Sequence, residues 1–260
     1  MIKRKRFGQH FLIDESVAKG IVNSANLSGN ETVVEIGPGR GILTSKLAGL
    51  SKRVIAVEVD RQLCHLLKHS LSFCNNIAII NANALNYNYK EIAEKFKVVS
   101  NLPYNISTPL IIRLIENRDN ITDMVLMFQR EVADRIVAEP GIKSYGTLSI
   151  LIQYYADAVK LMDVDRKAFR PIPRVDSSVI RITPRKEPLV KVMNENLFFN
   201  IVKTSFAHRR KIIRNNLKSM NFSDEFLEQI LRETGINPSR RGETLSISEF
   251  ANIANFLSAQ

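Results

Sequence analysis

Residues 32–41 read Thr-Val-Val-Glu-Ile-Gly-Pro-Gly-Arg-Gly, a short apolar run that stops abruptly on three glycines. A run of this length, bounded by turn residues and followed by a helical pattern, is a buried strand feeding a helix. The theme repeats. Apolar runs at 53–59, 77–80, 98–101 and 124–128 alternate with helical spacing at 42–50, 60–71, 109–116 and 130–138. Alternation of this kind predicts an α/β fold with a parallel sheet covered on both faces. Runs at 154–164 and 178–183 add two final strands. The loop Phe169-Arg170-Pro171-Ile172-Pro173 joins them in a hairpin that closes the sheet.

Past Pro184 the pattern is helical only. Phe199, Val202, Phe206, Ile213 and Leu217 follow helical steps, and Ser246-Ile247-Ser248-Glu249 is a capping box that starts a last helix. The expected division is therefore an α/β domain over 1–184 and a small all-α domain over 185–260.

The glycine turn is G-x-G-x-G. The dinucleotide fingerprint would need a glycine where Ile42 stands, and no Gly-Lys-Ser/Thr follows, so neither a pyrophosphate site nor a Walker loop fits. Pro38 also removes a backbone N–H that a pyrophosphate would use. Glu58 closes the next strand, about 20 residues on, where an acid accepts hydrogen bonds from ribose hydroxyls. A nucleoside without phosphates, held at the end of such a sheet, points to S-adenosylmethionine.

Asn101-Leu102-Pro103-Tyr104 follows the fourth strand and should stand beside the glycine turn, since ligands bind at the carboxyl ends of strands in open α/β sheets. Its chemistry suits an exocyclic amine. The amide oxygen of Asn101 and the carbonyl of Leu102, directed by Pro103, can accept its two N–H groups, and Tyr104 can stack on the base. Two acceptors would draw the delocalised lone pair of an adenine N6 back onto nitrogen, ready for in-line attack on a methyl group.

Lys and Arg total 37 against 26 Asp and Glu, a net charge of +11, which argues for a polyanionic partner such as nucleic acid. Six cations, Lys203, Arg209, Arg210, Lys211, Arg214 and Lys218, fall within 203–218 with no acid between them. Arg209, Arg210 and Arg214 are the expected phosphate contacts, and Lys3-Arg4-Lys5-Arg6 is a second basic run. No apolar run nears the roughly 18 residues of a membrane span, and no signal peptide is expected. Cys64 and Cys74, the chain's two cysteines, fit a reducing, cytoplasmic setting. With His65 and His69 they make a poor ligand set, so no metal is expected.

On these residues the chain resembles the KsgA/RsmA family of small-subunit rRNA adenine dimethyltransferases. The likeness runs through Arg6-Phe7-Gly8-Gln9-His10-Phe11-Leu12, Glu35-Ile36-Gly37-Pro38-Gly39-Arg40-Gly41 and Asn101 to Pro109. It continues through Gln129-Arg130-Glu131-Val132, Phe169 to Ser177 and Phe206 to Asn216. The resemblance implies a Rossmann-like, seven-stranded methyltransferase sheet with an all-α C-terminal domain that binds RNA. It implies a cytoplasmic monomer that uses S-adenosylmethionine to dimethylate two adjacent adenosines in the 3′-terminal hairpin loop of small-subunit rRNA, in an assembling subunit. By position, His10, Leu12, Gly37, Glu58, Asn83 and Asn101 would line the cofactor. Tyr104 and Phe169 would stack around the target adenine. The family usually has Asp where this chain has Asn83. The nearest rival is a related enzyme that acts on a large-subunit adenine. A DNA adenine methyltransferase would resemble Asp-Pro-Pro-Tyr where this chain has Asn101-Leu102-Pro103-Tyr104, and a binding module without turnover fits the intact Gly37, Glu58 and Asn101 set less well.

Overall fold

The computed structural model describes residues 10–260, so the Lys3-Arg4-Lys5-Arg6 run and the Arg6 to Gln9 part of the first motif lie outside the described residues. The chain forms two compact units, one of residues up to Ala133 plus Asp157–Pro184, the other of Asp134–Ala156 plus Arg185–Gln260. The expected cut at 184 is where the chain leaves the first unit for the last time. An earlier excursion, 134–156, joins the helical unit as well, which the sequence pattern did not show.

In the first unit β1 (Phe11–Leu12) leads into α1 (Glu15–Ser24), followed by β2 (Thr32–Ile36), α2 (Ile42–Ala48), β3 (Arg53–Glu58), α3 (Arg61–Ser70) and β4 (Ile77–Asn81). Then come β5 (Phe96–Asn101), α4 (Ser107–Glu116), β6 (Ile121–Gln129) and α5 (Arg130–Val137), which carries the chain out of this unit into α6 (Thr147–Tyr155). It returns in β7 (Ala156–Val164), β8 (Phe169–Arg170) and β9 (Ser177–Pro184). The strand expected from residue 154 starts at Ala156, because Tyr154 and Tyr155 end α6 and are buried there against Phe198 and Phe199.

The main sheet has seven strands in the order β4-β3-β2-β5-β6-β9-β7. Strands β2 to β6 pair in parallel, and β9 runs antiparallel to β6 from Met124↔Ile182 to Gln129↔Ser177. Every residue of β2 is buried, as a strand covered on both faces requires. The order reverses between β2 and β5, so the crevice of the sheet opens over their carboxyl ends. A second, two-stranded ribbon pairs β1 with β8, setting Leu12 opposite Phe169 and Phe11 opposite Arg170. Asp14 then caps α1 by accepting from the N–H groups of Ser16 and Val17.

The second unit is helical, with α7 (Glu195–Ser205), α8 (Ile213–Leu217), α9 (Asp224–Glu233) and α10 (Ile247–Ser258). The capping box stands as expected: the Ser246 hydroxyl accepts from the Glu249 N–H, and the Ser246 N–H donates to the Glu249 carboxylate at 2.8 Å. Phe198, Ile201, Leu227, Ile230, Phe250 and Ile253 are fully buried in it.

Candidate active site

A cavity of about 280 Å³ lies over the reversal point, walled by the ends of β2, β3 and β5, the turn after β4, and residues 10–12. Its floor is the glycine turn. Gly37 has φ of +67°, and its N–H donates to the Val57 carbonyl at 2.9 Å, which ties the turn to β3. A Cβ on Gly37 would stand 3.0 Å from Pro103, so a side chain there would push the 101–104 segment away.

Two carboxyls border this floor. Glu58 is buried; its oxygens accept from the N–H groups of Asp60 at 2.9 Å and Gly39 at 3.4 Å. Burial raises its carboxyl above the ordinary range, and those two N–H groups pull the other way. A carboxylate has about four lone-pair sites, so capacity for a ligand remains. Glu35 is more isolated. Burial pushes it up to about 8, the nearby Glu58 adds to the rise, and its Oε2 has no hydrogen-bond partner. The Thr44 hydroxyl pulls the other way, by more than Glu58 adds. Sequence reasoning assigned Glu35 no role; its signal was an acid inside an otherwise apolar strand.

Asn101 ends β5 on the opposite wall. Asn101 lines the cavity, and its Oδ1 is buried without a hydrogen-bond partner. Leu102 is held from behind, its N–H donating to the Met127 carbonyl at 3.2 Å. Tyr104 fixes its hydroxyl on Ser177 Oγ at 2.6 Å, and burial pushes its phenol up. His10, Leu12, Gly37, Glu58, Asn83, Asn101, Leu102, Pro103 and Tyr104 thus meet around one cavity.

Two expectations change at this level. Phe169 is fully buried, and its ring meets Tyr104 edge-on, 6.3 Å between centroids at 62°. Rings so close and so inclined leave no slot for a base between them. The ring lying nearly parallel to Tyr104 is His10, at 5.8 Å and 29°, held by Nδ1 donating to the Pro171 carbonyl at 2.6 Å. Asn83 reaches the cavity, but its Oδ1 also accepts from the Leu85 N–H at 3.0 Å, so one of its lone pairs holds the local turn.

The basic segment of the second unit also differs. Arg209 donates to the carbonyls of Lys143 and Tyr145 and pairs with Glu243 at 3.1 Å. Arg214 bridges Asp224 at 3.2 Å and Glu228 at 3.1 Å, and Lys218 joins Asp224 at 2.7 Å. The Lys218 ammonium holds the Asp224 carboxyl below its usual range. Arg209 and Arg214 are therefore braces of the helical unit rather than open cations. Arg210, Lys211 and Lys203 are exposed, with no ion pair among the described residues. Among the described residues there is also no group of three or more potential metal ligands and no helix long and apolar enough to cross a membrane. Cys64 is buried, its thiol directed at the Glu58 carbonyl.

Comparison with known proteins matches this arrangement along its whole length. The chain is 46% identical to a protein of Bacillus cytotoxicus named ribosomal RNA small subunit methyltransferase A, covering 98% of this chain and 91% of the relative. It is 44% identical to the protein of that name from Clostridium botulinum, covering 96% and 92%. Among solved structures, a dimethyladenosine transferase from Plasmodium falciparum superposes with a TM-score of 0.84 at 25% identity, covering 96% of this chain and 98% of that one. The 23S rRNA methyltransferase ErmE superposes with a TM-score of 0.77 at 25% identity, covering 95% and 99%. The family model described as ribosomal RNA adenine dimethylase matches residues 2–259, and the chain belongs to that family.

Proposed function

We infer that this chain is an S-adenosylmethionine-dependent enzyme that dimethylates N6 of two adjacent adenosines in the 3′-terminal hairpin loop of small-subunit rRNA. The observation that carries the reading is the unpartnered Oδ1 of Asn101 in the wall of the cavity, since a buried acceptor left open calls for a donor from a ligand. An adenine amine supplies that donor. The Leu102 carbonyl, fixed in direction by Pro103, is the second acceptor.

The cavity suits the cofactor. Glu58 stands where ribose hydroxyls would be bound, Gly37 allows close approach to the backbone, Asn83 takes the adenine edge, and His10 and Leu12 line the pocket from the N-terminal segment. S-adenosylmethionine, when bound, supplies an electrophilic methyl group. Asn101 and Leu102 then orient the amine and concentrate its lone pair. No side chain has to remove the proton, because the alkylated amine gives it up readily to water. Tyr104 offers the stacking face for the base, with Phe169 packed edge-on behind it.

The small-subunit target is favoured by the relatives, which carry that name at 44–47% identity, whereas the large-subunit enzyme ErmE shares 25%. We place the enzyme in the cytoplasm as a monomer acting on an assembling subunit. Incubating the protein and cofactor with each ribosomal RNA, followed by nucleoside mass spectrometry and primer extension, tests the reading. Dimethyladenosine at two neighbouring positions of the small-subunit RNA is expected; modification of the large-subunit RNA alone would overturn it.

A further inference from the structure

The loop between β7 and β9, residues 165–176, carries Arg166, Lys167, Arg170 and Arg174, all exposed. Among the described residues none of the four takes part in an ion pair; their side-chain bonds run only to carbonyls of the same loop, such as Arg166 to Arg174 at 3.4 Å and Arg170 to Phe169 at 3.0 Å. The two acids of the loop hold its shape and leave its cations alone. Asp165 accepts from the Lys167 N–H at 2.7 Å, and Asp176 accepts from the Arg166 N–H at 3.1 Å while pairing with Arg130 at 3.3 Å. The loop is also bolted to the cavity. Its β8 pairs with β1, Pro171 anchors His10, and Phe169 packs on Tyr104. Ile172, at the turn, is 49% exposed, an apolar side chain set among cations.

We propose that this loop is a docking surface for the phosphate backbone of the RNA strand that carries the target adenine. The proposal rests on the RNA-methylating reading and extends it to a surface that reading does not need. Unpaired, pre-positioned cations bordering a base pocket are what a phosphodiester strand requires once one of its bases enters that pocket. Such contacts fix register and carry no sequence information, so the choice of base stays with Asn101 and Leu102.

The test measures binding of small-subunit rRNA by filter retention across a salt series, for wild type, Arg166→Gln/Lys167→Gln and Arg166→Gln/Lys167→Gln/Arg170→Gln. Each cation that no longer meets a phosphate should flatten the slope of log affinity against log salt by roughly 0.7–0.9. The slope should therefore be flatter by about 1.4–1.8 in the double variant and by about 2.1–2.7 in the triple. Cofactor affinity, read by calorimetry, should not move, which also shows that the unit is folded; the double variant leaves the Arg170 bonds to the ribbon intact. Wild-type slopes in both variants overturn the docking surface alone. Wild-type protein that neither binds nor methylates the RNA overturns the functional reading with it.

Discussion

The 165–176 loop and the 203–218 stretch are both rich in cations, yet the fold treats them in opposite ways. In the stretch, Arg209, Arg214 and Lys218 are engaged by Glu243, Asp224 and Glu228. In the loop, the acids bind backbone and the cations stay open. A run of cations without an intervening acid says little about which charges are available, because the pairing acid can arrive from far along the chain. Glu243 lies 34 positions from Arg209. The cavity extends the contrast to uncharged groups: Asn101 and Glu35 keep unpartnered oxygens where most buried polar atoms are satisfied. Asn101 and Glu35 also line the cavity, where a ligand can meet them, and the following changes test that distinction.

Asn101→Ala should have the largest effect. Removing an acceptor that acts on the amine in the transition state costs on the order of 2.7–4 kcal/mol, or about 10²–10³ in single-turnover rate. Because its Oδ1 is unpartnered in the folded chain, the melting temperature should not fall. A near-normal rate would remove Asn101 from the chemistry, and a large loss of stability would show that its amide is structural.

Glu58→Ala comes next. Hydrogen bonds to a charged group contribute about 1.5–3 kcal/mol, so cofactor binding should weaken by roughly tenfold or more in calorimetry. Its two backbone partners, Gly39 and Asp60, would also lose an acceptor. Glu58→Gln, which keeps an acceptor, should recover part of the affinity. Equal losses in both variants would mean that the charge, and not the ribose geometry, is what matters.

Glu35→Gln separates a group left open from a group merely buried. The Glu35 carboxyl titrates near 4.5 in the unfolded chain and is pushed up to about 8 by burial in the fold. Between those values the folded protein holds a proton that the unfolded chain lacks, so wild-type stability falls as pH rises through that window and levels off above it. Glu35→Gln should flatten that fall by a few kcal/mol between pH 4.5 and pH 8. Melting curves across the range read the difference; parallel curves would show that Glu35 ionises freely.

Much of the first unit was legible, because strand runs and glycine turns are local. The apolar runs at 32–36, 53–59 and 77–80 coincide with strands to within a residue, and the glycine turn and Asn101-Leu102-Pro103-Tyr104 do meet at one cavity. What was not legible depends on pairing at a distance. The ribbon that sets Leu12 against Phe169 joins segments about 160 positions apart in sequence. It turns Phe169 into a buried support instead of an open stacking face. The 134–156 excursion was hidden for a similar reason: Gln153 and Ser149 bond to carbonyls in α5, a local match that says nothing about which core the pair joins. The phosphate role expected of Arg209 and Arg214 failed to foresee acids from α9 and from residue 243.

The smallest effect should come from Arg209→Gln, and it bears most directly on the two basic regions. Its guanidinium is about half exposed and its ion pair with Glu243 is screened, so that pair contributes about 0.2–1 kcal/mol. The carbonyls of Lys143 and Tyr145 lose a donor as well, which adds to the cost. A fall of a few degrees in the melting of the helical unit is therefore expected, with cofactor affinity unchanged. The salt slope for rRNA should also stay at its wild-type value, because a cation already paired with an acid releases few counterions when RNA arrives. Arg210→Gln, with no acid to hold it, should flatten the slope more than Arg209→Gln does. If Arg209→Gln flattened it as much, the Glu243 pair must open on binding, and the helical unit would hold a reserve of cations that the free protein conceals.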